Sequence, residues 1–590
     1  MAKASHESKP LAVCAIDFGT SLTGIAYSFA SDYKSISVLT KCTNITYGEK
    51  IPTVVLLNKE KSFWKFGYEA EEEYRQICDE GKAGDYYYFD CFKMKLYEEK
   101  KLTADVMISD VKGRQFPALD IFAMAIEYLV NHVEDMAKIQ ASGFDREDIL
   151  WVLTVPAIWS DSARNFMRKA AEKAGIPSKH LILCLEPEAA SLWCHNLNSN
   201  KVASNNGNTE FRPFPEGQKY MVVDLGGGTA DISVHEILPG RNLREIKRAD
   251  GGAFGGNLID DAFLRFIADI FGIDVLTLIK KTNYGEIMGL KRNFLIKKHM
   301  FKPVSEGKPE KYNIELPVTE LKKAIKELEF SCSLEEKMNQ AEKNYNGKIK
   351  FLNRRKLIID GSVMEGFFEK ATKEVVKILS DIRKDDEVGD INIAMLVGGL
   401  SSSPYIQKKI KDNIPGLRIF VPNEPSLAVL KGAVLMGHKP KTITEKIARY
   451  SYGLSILSTF HEGEHPEKFR QFQKGRYMCS HIFKKLVEKG AIYKPGDEFG
   501  KTILCQIPKS EHEKTGRVVT SIYRSEEVNP KYADEEYGCE IGATIVMPAP
   551  PGGWPGFTKF VPKMVLGLSE MTVNVYGSNN ETYEAKLEFL

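Results

Sequence analysis

The spacing of apolar positions changes along this chain, and the change divides it. Short runs rich in Val, Ile and Leu at Leu11–Ile16, Ile149–Val155, Leu181–Leu185, Tyr220–Val223 and Ile391–Val397 read as buried strands. Between them, apolar residues recur at helical spacing over Leu119–Lys138, Ser160–Ala174 (with Gly175 as the stop), Leu258–Ile270 and Val363–Ile382. Strands and helices that alternate in this way predict an α/β architecture. The charged stretch 318–350 reads as solvated helix, and the Asn/Ser-rich run NLNSNKVASNNGNTE that starts at Asn196 as a flexible surface insertion. From about Tyr450 the period shortens to two. Segments Ser451–Thr459, Val518–Arg524, Ala543–Met547 and Met571–Tyr576, divided by clusters such as Pro548–Gly556, predict a separate β-rich domain over 447–590, joined through HKPKTITEK (438–446).

Composition narrows the class. A length of 590 residues has room for about three to five domains, or two large lobes and an appendage, and excludes a small binding module. Lys and Arg total 81 against 79 Asp and Glu, a net charge of +2, so no charge excess drives nonspecific nucleic-acid binding. Hydrophobic residues at 43% and charged residues at 27% fit a soluble globular protein. The ten cysteines are scattered with no Cys-x-x-Cys pair, which favours free thiols in a reducing compartment. The start MAKASHESKPLAV is polar where a secretory signal is apolar, no run reaches the ~18 apolar residues of a membrane span, and the ending KLEFL carries no lipidation signal. A cytoplasmic or nuclear protein without a membrane span is expected.

Two segments share a plan. AVCAIDFGTSLTGIAYS (12–28) and YMVVDLGGGTADISVHE (220–236) each run from an apolar strand ending in Asp, through Gly and small residues with Thr, into a second strand. The pair reads as a duplicated fold. Glycine turns let backbone N–H groups converge on an anion, and an Asp at the strand end carries charge for a hydrated Mg²⁺. A lone Asp-x-Gly is more often a plain hairpin; two with matching flanks favour a polyphosphate gripped from both sides. No Gly-x-x-x-x-Gly-Lys-Ser/Thr is present at either, so neither is a P-loop. A third element, IAMLVGGLSSSPYIQKKI (393–410), runs strand, Gly398-Gly399, then a helix with Ser403 and Pro404 as N-cap and first residue. Its N-terminus suits the adenosine or phosphate end of a nucleotide.

IDFGTS, TVPAIWSD, LEPEAAS, VVDLGGGTAD, GGAFGGNLID and MLVGGLSSSP, in this order over 12–437, resemble the 70-kDa heat-shock proteins and the wider actin-like ATPase superfamily. YFDCFKMKLY (88–97), ARYSYGL and YMCSHIFKKLVEKG are most similar to the divergent heat shock 70 kDa protein 12 subgroup. The resemblance implies a two-lobed nucleotide-binding domain over 1–437, with lobe I about 10–195, lobe II about 218–400 and a return to lobe I over about 401–437. Each lobe would hold a ribonuclease-H-like βββαβα core, with ATP or ADP and Mg²⁺ in the cleft. By motif, Asp17 and Asp224 would hold the hydrated metal, and Gly19, Thr20, Ser21 and Gly226, Gly227, Gly228 and Thr229 would contact phosphates. Lys93 matches the lysine that orients the attacking water, with Lys95 as a competing choice. Glu186 and Asp231 match the carboxylates that, with Thr229, complete the catalytic network. Gly255, Gly256, Gly398 and Gly399 would line the nucleotide.

The sequence departs from the family in two ways. In the helix KRNFLIKKHMF (291–301), Lys297 and Lys298 stand in for a Lys-Arg pair, but Phe294 occupies the place of a nucleoside-binding Glu; Ser402 stands where an adenine-stacking Arg is expected. Losing that cation-π contact would weaken binding by about 0.5–2 kcal/mol. The leucine-rich linker, the long helical lid and the acidic C-terminal tag of typical members are also missing. The resemblance therefore implies an atypical heat-shock-70-like chaperone or regulatory ATPase with weak hydrolysis, a stress-response protein whose C-terminal domain takes a protein client or other ligand. A scaffold that binds nucleotide without hydrolysis and a small-molecule kinase of the same superfamily are the alternatives.

Overall fold

The computed structural model describes residues 10–39, 48–99, 102–103, 105–140, 146–196, 202–203, 214–303, 310–473, 475–500, 503–506, 516–549, 552–554, 557–576, 582–583 and 586–588. Most of the Asn/Ser-rich run lies outside them; Val202–Ala203 within it pairs with the strand Arg418–Pro422. The fold is mixed α/β.

The first sheet is built on β1 (Ala12–Phe18) and β2 (Leu22–Phe29), which run antiparallel, with α1 (Ala118–Gln140), β3 (Ile149–Val155), α2 (Asp161–Lys173), β4 (Leu181–Leu185) and α3 (Glu186–Asn196) following. Strand order is β4-β3-β1-β2, with β3 parallel to β1 and β4 parallel to β3. Strands buried on both faces read as continuous apolar runs, which is why β3 and β4 coincide with the predicted segments. The Ser160 side chain caps α2 by accepting from Ala163 N at 3.2 Å, and Gly175, at φ 87°, ends it.

The second sheet repeats the opening. β5 (Lys219–Leu225) runs antiparallel to β6 (Ala230–Ile237), which pairs with β7 (Leu243–Gly252). After α4 (Gly256–Phe271), α5 (Tyr284–Met300) and α6 (Gly361–Arg383), β8 (Ile393–Val397) returns parallel to β5, as β3 does to β1. Next come α7 (Pro404–Asn413), β9 (Arg418–Pro422) and α8 (Ala428–His438). Ser403 does precede α7 and Pro404 begins it, but the Ser403 hydroxyl makes no cap bond. Helices α3 and α8 share one buried cluster with residues of both sheets, including Val13, Val152, Val222 and Met395, and so join the two sheets through one core.

The stretch 318–350 is not one solvated helix. It forms two short helices, Val318–Glu327 and Leu334–Asn344, which bury Leu321, Ala324, Ile325, Leu334, Met338 and Ala341. Their single apolar stripes are narrow and the other faces heavily charged, so the charge conceals the burial.

Within 438–446 the chain begins β10 (Ile443–Ile447), which pairs parallel with β7. Beyond it the described residues are strands and short 3₁₀ turns, with no α-helix among them. β11 (Ser451–Thr459), β12 (Arg476–Val487), β13 (Val518–Ser525) and β14 (Cys539–Met547) form a six-stranded sheet with Arg470–Gln473 and Lys586–Glu588 at its edges. A five-stranded sheet centres on β15 (Phe557–Leu566) and β16 (Met571–Tyr576). The eight described cysteines with assigned surroundings are all free. No helix among the described residues is long and apolar enough to cross a membrane.

Candidate functional site

Each sheet carries an aspartate one residue from the end of its first strand. Asp17 is the penultimate residue of β1 and the chain turns through Gly19-Thr20-Ser21 into β2; Asp224 is the penultimate residue of β5 and the chain turns through Gly226 to Thr229 into β6. In the second turn Gly226 N donates to Thr229 O at 2.9 Å, a tight closure. The two turns meet. Ser21 Oγ donates to Asn257 Oδ1 at 3.0 Å, across from the first turn to the start of α4. A methyl group on Gly228 would lie 2.5 Å from Thr20 Oγ1, and one on Gly227 would lie 2.9 Å from Ser21 Cβ. Glycine is required at both positions for the turns to approach this closely.

Four carboxylates converge beneath the turns. Asp17, Glu186, Asp224 and Asp231 are all buried, and Asp224 and Asp231 are direct partners across β5 and β6. Glu186 opens α3 and pairs with Lys93 Nζ at 2.9 Å. Lys93 is 2% exposed and its ammonium lies 5.0 Å from the centre of the Trp159 ring. Lys95 instead faces Glu99 at 3.1 Å on the surface, 36% exposed. The carboxylates of the cluster therefore engage Lys93 and not Lys95.

Burial and mutual repulsion set the electrostatics. Burial, with the Glu186, Asp231 and Asp17 carboxylates beside it, pushes the Asp224 carboxyl well above the usual range. Burial raises Glu186 to about 7 against the pull of the Lys93 ammonium. Burial raises Asp231 too, opposed by the backbone N–H of Ile158 and the Thr229 hydroxyl. Asp17 goes the other way: burial raises it, but the Lys50 ammonium, Lys93 and the Thr154 hydroxyl outweigh burial and hold it below the ordinary range.

The remaining predicted residues divide. Gly255 seats on the second turn, its N–H donating to Gly228 O at 3.2 Å, and Gly256 N donates to Gly226 O at 3.0 Å. Gly398, at φ 85°, packs against Asp224; a methyl there would lie 2.5 Å from Leu225 O. Lys298 is buried behind this turn, bonded to Asp260 at 2.7 Å and to Gly256 O at 3.2 Å. Lys297 is half-buried on the same helix. Gly399 is open, with no atom within 4 Å of an added methyl, and the Ser402 hydroxyl folds back onto Gly399 O at 2.7 Å. Phe294 is fully buried and stacks on Phe263, ring centres 4.1 Å apart and nearly parallel. It belongs to the core of the second sheet.

Sequence reasoning missed four participants. Lys50 pairs with Asp17 Oδ2 at 2.5 Å, and Thr154 Oγ1 donates to Asp17 Oδ1 at 2.9 Å. Ile158 N donates to Asp231 Oδ1 at 3.0 Å, and Asn257 joins the turns. Thr154, Ile158 and Asn257 lie inside motifs already singled out, TVPAIWSD and GGAFGGNLID. No motif marks Lys50.

Among the described residues, no group of three or more His, Cys, Asp or Glu is placed to hold a metal ion directly. The donor set nevertheless suits a hydrated one: four acidic groups face two ammoniums, and a cation held through water would relieve the mutual repulsion that helps to raise Asp224 and Glu186.

Comparison with known proteins identifies the family of the chain. A family model described as "Hsp70 protein" matches residues 88–289, and one described as a domain of unknown function, DUF8340, matches 215–422. The chain belongs to the 70-kDa heat-shock protein family. Within it the chain falls with the heat shock 70 kDa protein 12 subgroup. It is 30% identical to human and mouse heat shock 70 kDa protein 12A over 86% of its own length and 83% of theirs. With human heat shock 70 kDa protein 12B it shares 28% identity over 100% of this chain and 92% of that protein. Similarity to a mitochondrial-type heat shock protein 70 of Encephalitozoon cuniculi, 29%, extends over only 52% of the chain.

Proposed function

We propose that this chain binds a magnesium nucleotide between the two glycine turns and hydrolyses ATP slowly, as an atypical heat-shock-70-like chaperone or regulatory ATPase. The carrying observation is the buried cluster of Asp17, Glu186, Asp224 and Asp231 around Lys93 at the matched ends of two similarly built sheets. In this reading each sheet with its helices is a ribonuclease-H-like core, residues 1–437 form the nucleotide-binding unit, 438–446 the link, and 447–590 a β domain that takes a protein client or other ligand.

The division of labour follows from placement. Backbone N–H groups of Gly227 to Thr229 and the hydroxyls of Thr20 and Ser21 bind phosphate oxygens once the turns part, while Gly226, whose N–H closes its own turn on Thr229 O, keeps that turn in shape. Asp17 and Asp224 would hold a hydrated Mg²⁺ through water, and the ion would add to the charge neutralisation that the protein's own ammoniums bring to the phosphates. Lys93 orients the attacking water, and Glu186, raised to about 7, is poised to accept its proton near neutrality. Gly398 and Gly399 line the nucleoside side, without the stacking Arg.

Contacts to the C-terminal strands support a conformational output. Lys446 makes a buried ion pair with Glu188 at the start of α3, and Arg168 binds Glu570 at 2.5 Å. Tyr452 Oη donates to Asp161 at 3.1 Å. Calorimetric titration with ATP and ADP in the presence of Mg²⁺ tests the proposal: saturable binding by the wild type and its loss in a folded Asp224→Ala variant are expected. Absence of binding by folded wild-type protein would overturn it.

A further inference from the structure

The two strand-end aspartates differ in what stands opposite them. In the second sheet the residue across from Asp224 is Asp231; in the first, the residue across from Asp17 is Gly24. The place a side chain would take there is filled from elsewhere. A methyl on Gly24 would lie 3.1 Å from Lys50 Cγ and 3.3 Å from Lys50 Cε, so the aliphatic stem of Lys50 runs across β2 at the one position with no Cβ. Lys50 is placed by the short strand Ile51–Pro52, which pairs Ile51 with Thr23 and Pro52 with Leu22. Thr53 then anchors the segment, its hydroxyl donating to Gly19 O at 2.8 Å inside the first turn.

The stem delivers the ammonium to Asp17 Oδ2 at 2.5 Å, while Thr154 takes Oδ1. Lys93, the buried ammonium of the site, is committed to Glu186, whereas Lys50 is only partly buried. An ammonium has three N–H donors, of which this contact uses one. Among the described residues the other two have no partner, which leaves them for phosphate oxygens that enter beside the first turn.

We propose that Lys50 is a protein-supplied cation of the phosphate site, binding the nucleotide phosphates beside Asp17 so that nucleotide binding by this chain depends only weakly on divalent metal. This rests on the nucleotide-binding reading above and specifies what neutralises the phosphates.

The test is the dissociation constant for ADP, by calorimetry, in excess Mg²⁺ and in EDTA, for the wild type, Lys50→Met and Lys50→Arg. Wild-type affinity in EDTA is expected within about tenfold of that in Mg²⁺, and Lys50→Met is expected to lose at least about tenfold in EDTA and less in Mg²⁺. Lys50→Arg, which keeps the charge, is expected to retain binding in EDTA. Wild-type binding in Mg²⁺ but not in EDTA overturns this inference and leaves the nucleotide reading standing. Lys50→Met binding ADP in EDTA as well as wild type also overturns it. Binding under neither condition overturns both. The wild-type comparison needs no variant to fold, and a thermal melt checks the two that do.

Discussion

Ile158 and Asp231 are joined by a 3.0 Å hydrogen bond in which the backbone N–H of the first donates to Oδ1 of the second. The carbonyl oxygen of the same Ile158 accepts from Arg449 at 3.0 Å, as does that of Trp159, whose ring lies under Lys93. One short loop thus touches the carboxylate cluster on one side and the entry to the C-terminal strands on the other. Arg449→Ala is expected to leave ADP affinity within about threefold of wild type while abolishing nucleotide-dependent changes in protease cleavage beyond residue 450. Cleavage that still responds to nucleotide would show that the signal travels elsewhere.

Removing Lys93 leaves Glu186 without its partner in a buried site. Lys93→Met is expected to destabilise the protein by about 3–5 kcal/mol at a pH where Glu186 is ionised, read from urea unfolding. The loss shrinks at acidic pH, where Glu186 takes up a proton and no unpaired charge remains. A pH-independent loss would place the cost in packing against Trp159 instead.

Glu186 also fixes the sign of a pH dependence. Its carboxyl is raised from 4.5 to about 7, so between those values the native state holds a proton that the unfolded chain has released. Its contribution to stability is therefore present at low pH and lost as pH rises through about 7. Asp17, held below its usual range, contributes oppositely, its share disappearing as pH falls. Glu186→Gln is expected to flatten the decline in stability between pH 4.5 and about 7, and to remove any rise in ATP hydrolysis over the same window. Thermal melts across pH decide the first point.

Phe294 carries a cost of a different kind. It is fully buried and stacked on Phe263, so Phe294→Ala is expected to cost about 3–5 kcal/mol in chemical denaturation. Phe294→Glu, which puts an acid where the resemblance expects one, is expected to unfold the second sheet's core and not to improve nucleotide binding, because that position faces Phe263 and Phe367.

How much of this was legible in the sequence depended on how local the cause was. β3 and β4 match the predicted runs Ile149–Val155 and Leu181–Leu185 residue for residue, since strands buried on both faces need uninterrupted apolar side chains. The glycine turns were legible because small residues in succession have little other use. Lys93 and Lys95 sit two positions apart in a short helical turn, and only the fold shows which one faces Glu186. Lys50 was hidden more thoroughly: the strand that follows it is two residues long and its meaning depends on an absent side chain at Gly24. The role of Ile158 belongs to its backbone N–H, which any residue but proline supplies.

The most direct measurement is hydrogen–deuterium exchange on the full chain with and without Mg-ADP. If nucleotide sits between the turns, backbone amides of Asp17–Gly24 and Asp224–Asp231 become protected together at the same nucleotide concentration, and Asp224→Ala abolishes both effects. Protection of one turn alone, or of neither by a folded protein, would contradict a nucleotide gripped from both sides.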